Sequence, residues 1–553
     1  MDNVRPKLTL HQVLTRKPSK RPIILLFIAI LVLGFFTSHA TMTLDPPARF
    51  QLTRSMVDYR DMQIRLDEND PDIMARYAIE RFQGPDGNYY LAFFGIGQAI
   101  TFIPHYIILH HIMGIDSEPL MLAAVSATLF PLTLALTALV FYALMREFGF
   151  TRRQCYILAA LVVFATGLWQ VSKEGQEDSQ LALYFALTAL VLKRYQNTGK
   201  YEMMFFSALI MGFSFWTRSD IAPTIFFYTI FAAWLICQNH QRRTPTGLKR
   251  RLTVIHLLPV LTILFVALLV HLYIEYTHYG KFVSSWDVPF SLSHLSLGLP
   301  GLLYSPGKGM FLYNPFFILS IIGLIPLWRA HREWALFVAA AFLGCLFLHA
   351  ILPTFHGNWC WGPRYLCRQI PLLFIPLAFF AWKPTSAQSD SDSDPPKFSL
   401  PRCWAFRIVL TISVIVQMLA VSGNHSRELT DMSHARGEWS VQQWTMFEPE
   451  ANILKFRVIN LYNGVKDMIN GEIAPWPTDP KRLRSQKEHL NAPVNHYLAF
   501  WPFHLTYYLP TIKPELAPPL WASTLILITG LSLGLLLLFL GYRHLIRHSK
   551  IHH

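Results

Sequence analysis

Several clusters of ionisable side chains interrupt an otherwise apolar sequence, and their types could support group transfer. Asp45 stands in Leu44-Asp-Pro-Pro-Ala-Arg49, and Arg54, Asp58 and Arg60 follow close behind. Glu174, Glu177 and Asp178 share one short turn between two apolar runs. Arg218 and Asp220 mark the end of another run, Lys308 sits in Ser305-Pro-Gly-Lys-Gly309, and Arg364 in Trp359-Cys-Trp-Gly-Pro-Arg-Tyr365. A carboxylate can take the proton of an attacking hydroxyl or amine while cationic side chains hold a departing anion. Ser-Pro-Gly-Lys-Gly lacks the spacing and the following Lys-Ser/Thr of a nucleotide-binding loop. Taken singly, a charge at a helix end is ordinarily an interfacial anchor, and a tryptophan beside it belongs to the aromatic belt. It is the grouping of several such turns that points to a site.

The elements that must position these residues are membrane helices. Of 553 residues, 52% are hydrophobic and 15% charged, against about 25% charged in typical soluble proteins. Disorder, coiled coil and a disulfide scaffold are excluded on that ground. Six cysteines are scattered without zinc-ligand spacing. A Cys360–Cys367 disulfide is conceivable, but small buried residues are the commoner reading. The net charge of +14 does not call for nucleic acid, because basic residues collect on cytoplasmic loops.

A hydrocarbon core of about 30 Å needs roughly 17–25 apolar residues per helix. Pro22–Ala40 is the first such run, and the basic leader before it, residues 1–22, fits a retained signal anchor with a cytoplasmic N-terminus. Further runs lie near 91–112, 119–145, 155–171, 179–195, 202–217, 221–237, 252–274, 311–328, 333–351, 369–382, 404–421 and 520–541, thirteen in all. Were all to cross, the basic turns Arg146–Arg153, Lys193–Lys200, Arg242–Arg251 and Arg329–Arg332 would face outside, against the positive-inside rule. The 91–112 run carries Gly95, Gly97, Gln98, Pro104 and His105 and is the weakest span. Read as a juxtamembrane or re-entrant element, it returns every basic turn to the cytoplasm.

The expected fold is therefore an all-α integral membrane protein of about 12–13 transmembrane helices, with juxtamembrane helices and a small outer-face cap. The ionisable clusters then share the outer face: loop 41–90 with nine acids and six arginines, turn 172–178, the helix end at 216–220, and loops 275–310 and 353–368. Residues 383–402, with Ser-Asp repeats and prolines, read as a cytoplasmic linker. The C-terminal part, 403–553, holds outer loop 422–519, whose ten acids, ten bases and Trp and Pro clusters read as the cap. Ion-coupled transporters place ionisable groups nearer the midplane. Charges at the leaflet boundary suit a lipid-linked substrate instead, with a phosphate at headgroup level and an isoprenoid tail in the hydrocarbon.

With these residues in order, the stretch from about 23 to 382 resembles the polytopic GT-C glycosyltransferases, the superfamily of protein O-mannosyltransferases and aminoarabinose transferases, in its bacterial polyprenyl-phosphate-sugar-dependent members. The resemblance lies in Asp45 after the first helix, Arg49, Leu52-Thr-Arg-Ser-Met-Val-Asp58, Gly84-Pro-Asp-Gly-Asn-Tyr-Tyr90, Gly95-Ile-Gly-Gln98 and Pro104-His-Tyr106. It continues through Glu177-Asp178, Thr217-Arg218, Leu303-Tyr-Ser-Pro-Gly-Lys-Gly309 and Trp361-Gly-Pro-Arg-Tyr-Leu366. It implies that Asp45 is the catalytic base, and that Glu177 or Asp178 assists with acceptor or metal. The chain has no His-Pro-Pro or Lys-Pro-Pro tripeptide, and its acidic turn reads Gly175-Gln-Glu-Asp-Ser179, which leaves the acceptor and the second acid's role open.

The reading is an inverting glycosyltransferase of the bacterial inner membrane with a periplasmic active site. Its partners are a polyprenyl-phosphate sugar and membrane lipid, with no nucleic acid. Arg218, Lys308 and Arg364 are the candidates for the donor phosphate. Arg49, Asp58, Tyr89, Tyr90, Gln98, His105, His356, Trp359 and Trp361 are candidates to shape the sugar or acceptor pocket. No cofactor is identified, and a divalent metal is left open. The alternatives are a transporter or flippase of lipid-linked sugars, and a non-catalytic membrane scaffold.

Overall fold

The computed structural model describes residues 20–38, 45–65, 81–91, 95–243, 249–280, 282, 290–357, 360–384, 400–423, 447–448, 453–470, 500–503 and 518–550. In chain order the helices are α1 (Arg21–Thr37), α2 (Asp45–Arg54), α3 (Gly97–Tyr106), α4 (Glu118–Glu147), α5 (Arg152–Phe164), α6 (Leu168–Lys173) and α7 (Glu177–Thr198). They continue as α8 (Glu202–Thr217), α9 (Ala222–Arg243), α10 (Lys249–Tyr279), α11 (Leu295–Tyr304), α12 (Met310–Tyr313), α13 (Phe316–Ala330) and α14 (Arg332–Ala350). The last are α15 (Arg364–Cys367), α16 (Ile370–Ala381), α17 (Leu400–Ser422), α18 (Ile453–Asn470) and α19 (Leu520–Lys550). The strands β1 (Arg81–Gln83) and β2 (Tyr89–Leu91) pair antiparallel across the Gly84–Asn88 turn.

This is an all-α multi-pass membrane protein. Among the described residues, six helices are long and apolar enough to cross a bilayer: Leu120–Glu147, Ser219–Asn239, Ile255–His278, Arg332–Ala350, Trp404–Ser422 and Leu520–Ile546. Four shorter apolar helices accompany them. Ile255, Leu258, Phe265 and Leu269 along α10 are all exposed, as expected where lipid rather than protein is the neighbour. The 155–171 run is interrupted: α5 stops at Phe164 and α6 resumes at Leu168. The 91–112 run is helical only from Gly97, and beyond Tyr106 its backbone widens into a π-helical turn over Ile107–Ile112. Most of the expected cap, 422–519, lies outside the described residues, apart from α18 and short flanking pieces.

Packing explains which small residues sit where. α1 lies between α4 and α19, α13 lies on α16, α7 on α4 and α8, and α9 on α14. At the α1–α19 seam, Gly530 and Gly534 stand four residues apart, and a Cβ on either would overlap Phe36 or Leu33 of α1. Hydrocarbon gives membrane helices no solvent-driven reason to associate, so close backbone approach over small residues supplies the attraction. At the start of the 422–519 segment, α17 ends at carbonyls that buried cations satisfy. Arg457 Nη1 donates to Leu419 O at 2.7 Å and also to Ala420 O, while Lys173 Nζ donates to Val421 O.

Replacing Gly534 by leucine should wedge α1 from α19. Overpacking of this kind costs about 1–3 kcal/mol, so thermal unfolding in detergent should move to lower temperature. Leu535→Ala, on the 61% exposed side of the same helix, serves as the control and should unfold like the native chain.

Candidate active site

The helix geometry brings the charged turns together at one end of the bundle. α2 opens at Asp45, and Arg49 lies four residues on, so the two positions share a helix face. The Asp45 side chain lies outside the described residues. Arg49 is fully buried, and its Nη1 donates to Glu177 Oε2 at 2.7 Å and to Gln98 Oε1 at 2.5 Å. Gln98 Nε2 in turn donates to Gly175 O at 3.0 Å, which locks the acidic turn to α3. Gly95 and Gly97 let the start of α3 pack against the end of α8, because a Cβ on either would overlap the Trp216–Thr217 backbone or the Thr217 hydroxyl.

Glu177, at the first turn of α7, is also fully buried and accepts from a second guanidinium, Arg218 Nη1, at 2.5 Å. Arg218 Nη2 reaches Asp220 Oδ2 at 2.8 Å. Asp220 then receives both Nη groups of Arg368, at 2.5 and 3.0 Å, and lies 3.2 Å from His349 Nε2. Asp178 is buried and its nearest cation is Arg368, whose Nε lies 3.6 Å away, but neither carboxylate oxygen accepts a hydrogen bond among the described residues. The result is one continuous network from α2 through α3, α7 and the α8–α9 turn to α14 and α15.

A cationic layer stands beside it. The Tyr365 ring faces three guanidinium carbons, those of Arg218 at 5.0 Å, Arg364 at 5.1 Å and Arg368 at 5.9 Å, each on the ring's electron-rich face. Lys308 is buried, donating through Nζ to Cys360 O, with Cys360 Sγ at 3.3 Å. Burial, followed by the Arg364 charge, holds the Lys308 ammonium below the usual lysine range. Burial, then Lys308 and Arg364, pushes His356 down to about 3, so its imidazole is neutral at physiological pH. Cys360 and Cys367 are free thiols rather than a disulfide.

The remaining sequence candidates fall into separate groups. Asp58 accepts from Tyr106 Oη at 2.6 Å and faces His111 Nε2 at 3.1 Å and Arg54 at 3.7 Å. His105 lies in α3 with a buried Nδ1 that has no partner among the described residues. Tyr90 stacks on His278 at 4.2 Å and donates to Asp86 at 2.6 Å, with Tyr89 half-buried beside it. Trp361 is packed edge-on against Tyr313 at 5.1 Å, under the Arg457 guanidinium at 4.5 Å. Trp359 lies outside the described residues. Sequence reasoning missed Arg368 and His349. The only available signals were an arginine one turn after Arg364 and a histidine at the end of an apolar run. For a metal, no group of three or more His, Cys, Asp or Glu is suitably placed among the described residues, and guanidiniums already occupy Glu177 and Asp220.

No protein-family model matches the chain, and no curated protein matches it. Solved structures are similar to it, two ArnT structures among them. ArnT from Cupriavidus metallidurans bound to undecaprenyl phosphate has 15% identity and a TM-score of 0.39, over 95% of this chain and 78% of that one. The same organism's ArnT in the apo state has 14% identity and a TM-score of 0.43, over 94% and 76%.

Glu177→Gln keeps the side-chain volume but strips Arg49 and Arg218 of their shared counter-charge. Removing one partner of a buried ion pair costs about 3–5 kcal/mol, and denaturant unfolding in detergent should register a loss of that order. Arg54→Ala, whose 3.7 Å pair is half exposed, should stay within about 1 kcal/mol.

Proposed function

We propose that the chain is a glycosyltransferase moving a sugar from a polyprenyl-phosphate donor to an envelope acceptor at the outer face of a bacterial inner membrane. The observation that carries this reading is the crowding of like charges. Burial, and then the Arg364 charge, depresses the Lys308 ammonium, and burial, then Lys308 and Arg364, disfavours a proton on His356. Such a patch is relieved by an anion whose several oxygens accept charge-assisted hydrogen bonds. Its place at the ends of membrane helices, together with the ordered motifs from Asp45 to Arg364, supports a lipid-linked phosphate as that anion.

The mechanism is a single inverting displacement. The acceptor oxygen or nitrogen attacks the anomeric carbon while the bond from that carbon to the donor phosphate oxygen breaks. The electron pair leaves with the phosphate, which Lys308 and Arg364 bind, and Arg218 adds its charge from the neighbouring network. The acceptor's proton passes to Asp45, the assigned base, one helical turn before Arg49. No covalent enzyme intermediate is needed. Glu177 and Asp178 position the arginines in this scheme.

Washed membranes supplied with radiolabelled polyprenyl-phosphate sugar separate this reading from its rivals: an enzyme moves label to an acceptor, a flippase only relocates it, and a scaffold does neither. Asp45→Asn should lose a general-base contribution of about 10²–10⁴-fold in turnover; near-native turnover would remove Asp45 from the role. Arg364→Ala should weaken donor use roughly 10- to 100-fold, since a hydrogen bond to a charged group is worth about 1.5–3 kcal/mol. Arg364→Lys should recover only part of this, because an ammonium cannot reproduce the planar fork. Full recovery with lysine would make Arg364 an anchor and place the phosphate elsewhere.

A further inference from the structure

An acid that this mechanism does not use stands inside a membrane helix. Glu275 on α10 is 8% exposed, and its Oε2 is buried with no hydrogen-bond partner among the described residues. His271, one turn earlier, has its Nε2 3.8 Å from Glu275 Oε1, beyond hydrogen-bond reach, and its ring lies edge-on to Phe215 at 5.0 Å. An ionisable side chain in a span with one buried oxygen left unsatisfied among the described residues marks a place where something else supplies the hydrogen bond.

Directly along the same helix face lies a cavity of about 620 Å³ between α8, α9 and α10, walled by Phe215, Ile225, Leu261, Leu264, Phe265 and Leu268. Leu264, Leu268, His271 and Glu275 follow one another at spacings of four, three and four, so the apolar wall and the acid form one stripe. Gly212 and Ala267 open the slot; a Cβ on Gly212 would already touch that of Ala267 at 3.2 Å. The two threonines in the lining have no hydrogen to spare for an anionic ligand, because Thr229 and Thr262 donate to Ile225 O and Leu258 O on their own helices. Leu261, Phe265 and Leu268 remain exposed, so the slot opens sideways into the hydrocarbon.

We propose that this slot binds the acceptor as a membrane lipid, with an acyl chain in the groove and a hydroxyl- or amine-bearing headgroup donating to Glu275. The word acceptor rests on the transfer reading above; the lipid site does not. Charge selects the occupant. The groove lining contains no lysine or arginine, and Glu275 repels a phosphate, so the anionic donor is excluded and a hydrogen-bond-donating headgroup without a negative charge is admitted.

The test uses the full chain in nanodiscs and needs no turnover, so it stands or falls separately from the transfer assay. A monoglucosyl diacylglycerol with a diazirine in its acyl chain should label Leu261, Phe265 or Leu268, mapped by mass spectrometry. Glu275→Gln, which keeps the volume, should reduce that labelling roughly 10- to 100-fold, as expected for one hydrogen bond to a carboxylate. Ala222→Phe, which fills the groove from the exposed start of α9 and spares Glu275, should abolish it, and unchanged melting of both variants shows that the fold survives. Phosphatidylglycerol with the same acyl probe should label several-fold less and ignore Glu275→Gln. The proposal is overturned if the groove takes phosphatidylglycerol or a photoreactive polyprenyl phosphate as well as the neutral lipid, or if Glu275→Gln leaves labelling unchanged.

Discussion

The Glu177 carboxylate is the point on which the polar end of this protein depends. It has no water contact, and it is satisfied from both sides by guanidiniums that arrive from different parts of the chain, Arg49 in α2 and Arg218 after α8. A buried carboxylate without such partners would be prohibitively costly, and so would either arginine without its acid. The three groups therefore fix one another. Because Arg218 also pairs with Asp220, and Asp220 with Arg368, the constraint passes on to α14 and α15.

That constraint explains how like charges can be packed beside the network. Tyr365 sits among Arg218, Arg364 and Arg368, and its ring face offsets part of their repulsion. Among the described residues, Arg218 and Arg368 are held by carboxylates, which anchors the layer. Lys308 is fixed by Cys360, and the neutral His356 lies within the influence of both Lys308 and Arg364. A preorganised cationic surface of this sort binds an anion without the reorganisation cost that flexible side chains would incur. In the reading proposed here, rigidity comes from the acids and binding from the bases.

The hydrocarbon side follows different physics. There, shape decides the packing: Gly530 and Gly534 admit α1, and Gly212 with Ala267 leaves a slot against α10. Polar groups at that depth are conspicuous because almost everything around them is apolar. Thr229 and Thr262 donate within their own helices, whereas Glu275 Oε2 has no hydrogen-bond partner among the described residues. The same low-dielectric surroundings that make an isolated carboxylate costly also make it selective about the charge of what it meets.

Much of the architecture was legible in the sequence, because apolar runs of bilayer length have few alternative uses and every backbone polar group in lipid must be satisfied within a helix. Most helices from α4 to α16 lie close to the runs expected, α11 and α15 falling instead in segments read as outer loops, and the prominence of Glu177, Asp178, Arg218, Lys308 and Arg364 followed from charges standing among hydrophobic neighbours. What could not be read was pairing. Glu177 and Arg49 are 128 residues apart, and Asp220 and Arg368 are 148 apart. Nothing local distinguishes an arginine that holds a carboxylate from one left to face a ligand. Arg368 was missed for that reason, and Arg218, grouped in the sequence with the phosphate candidates, has its donors on two acids. Residue type and spacing determined which end of the helices is polar. Only the tertiary structure decided which charges cancel, because a buried charge takes its partner from whichever element packing brings within about 3 Å, regardless of distance along the chain.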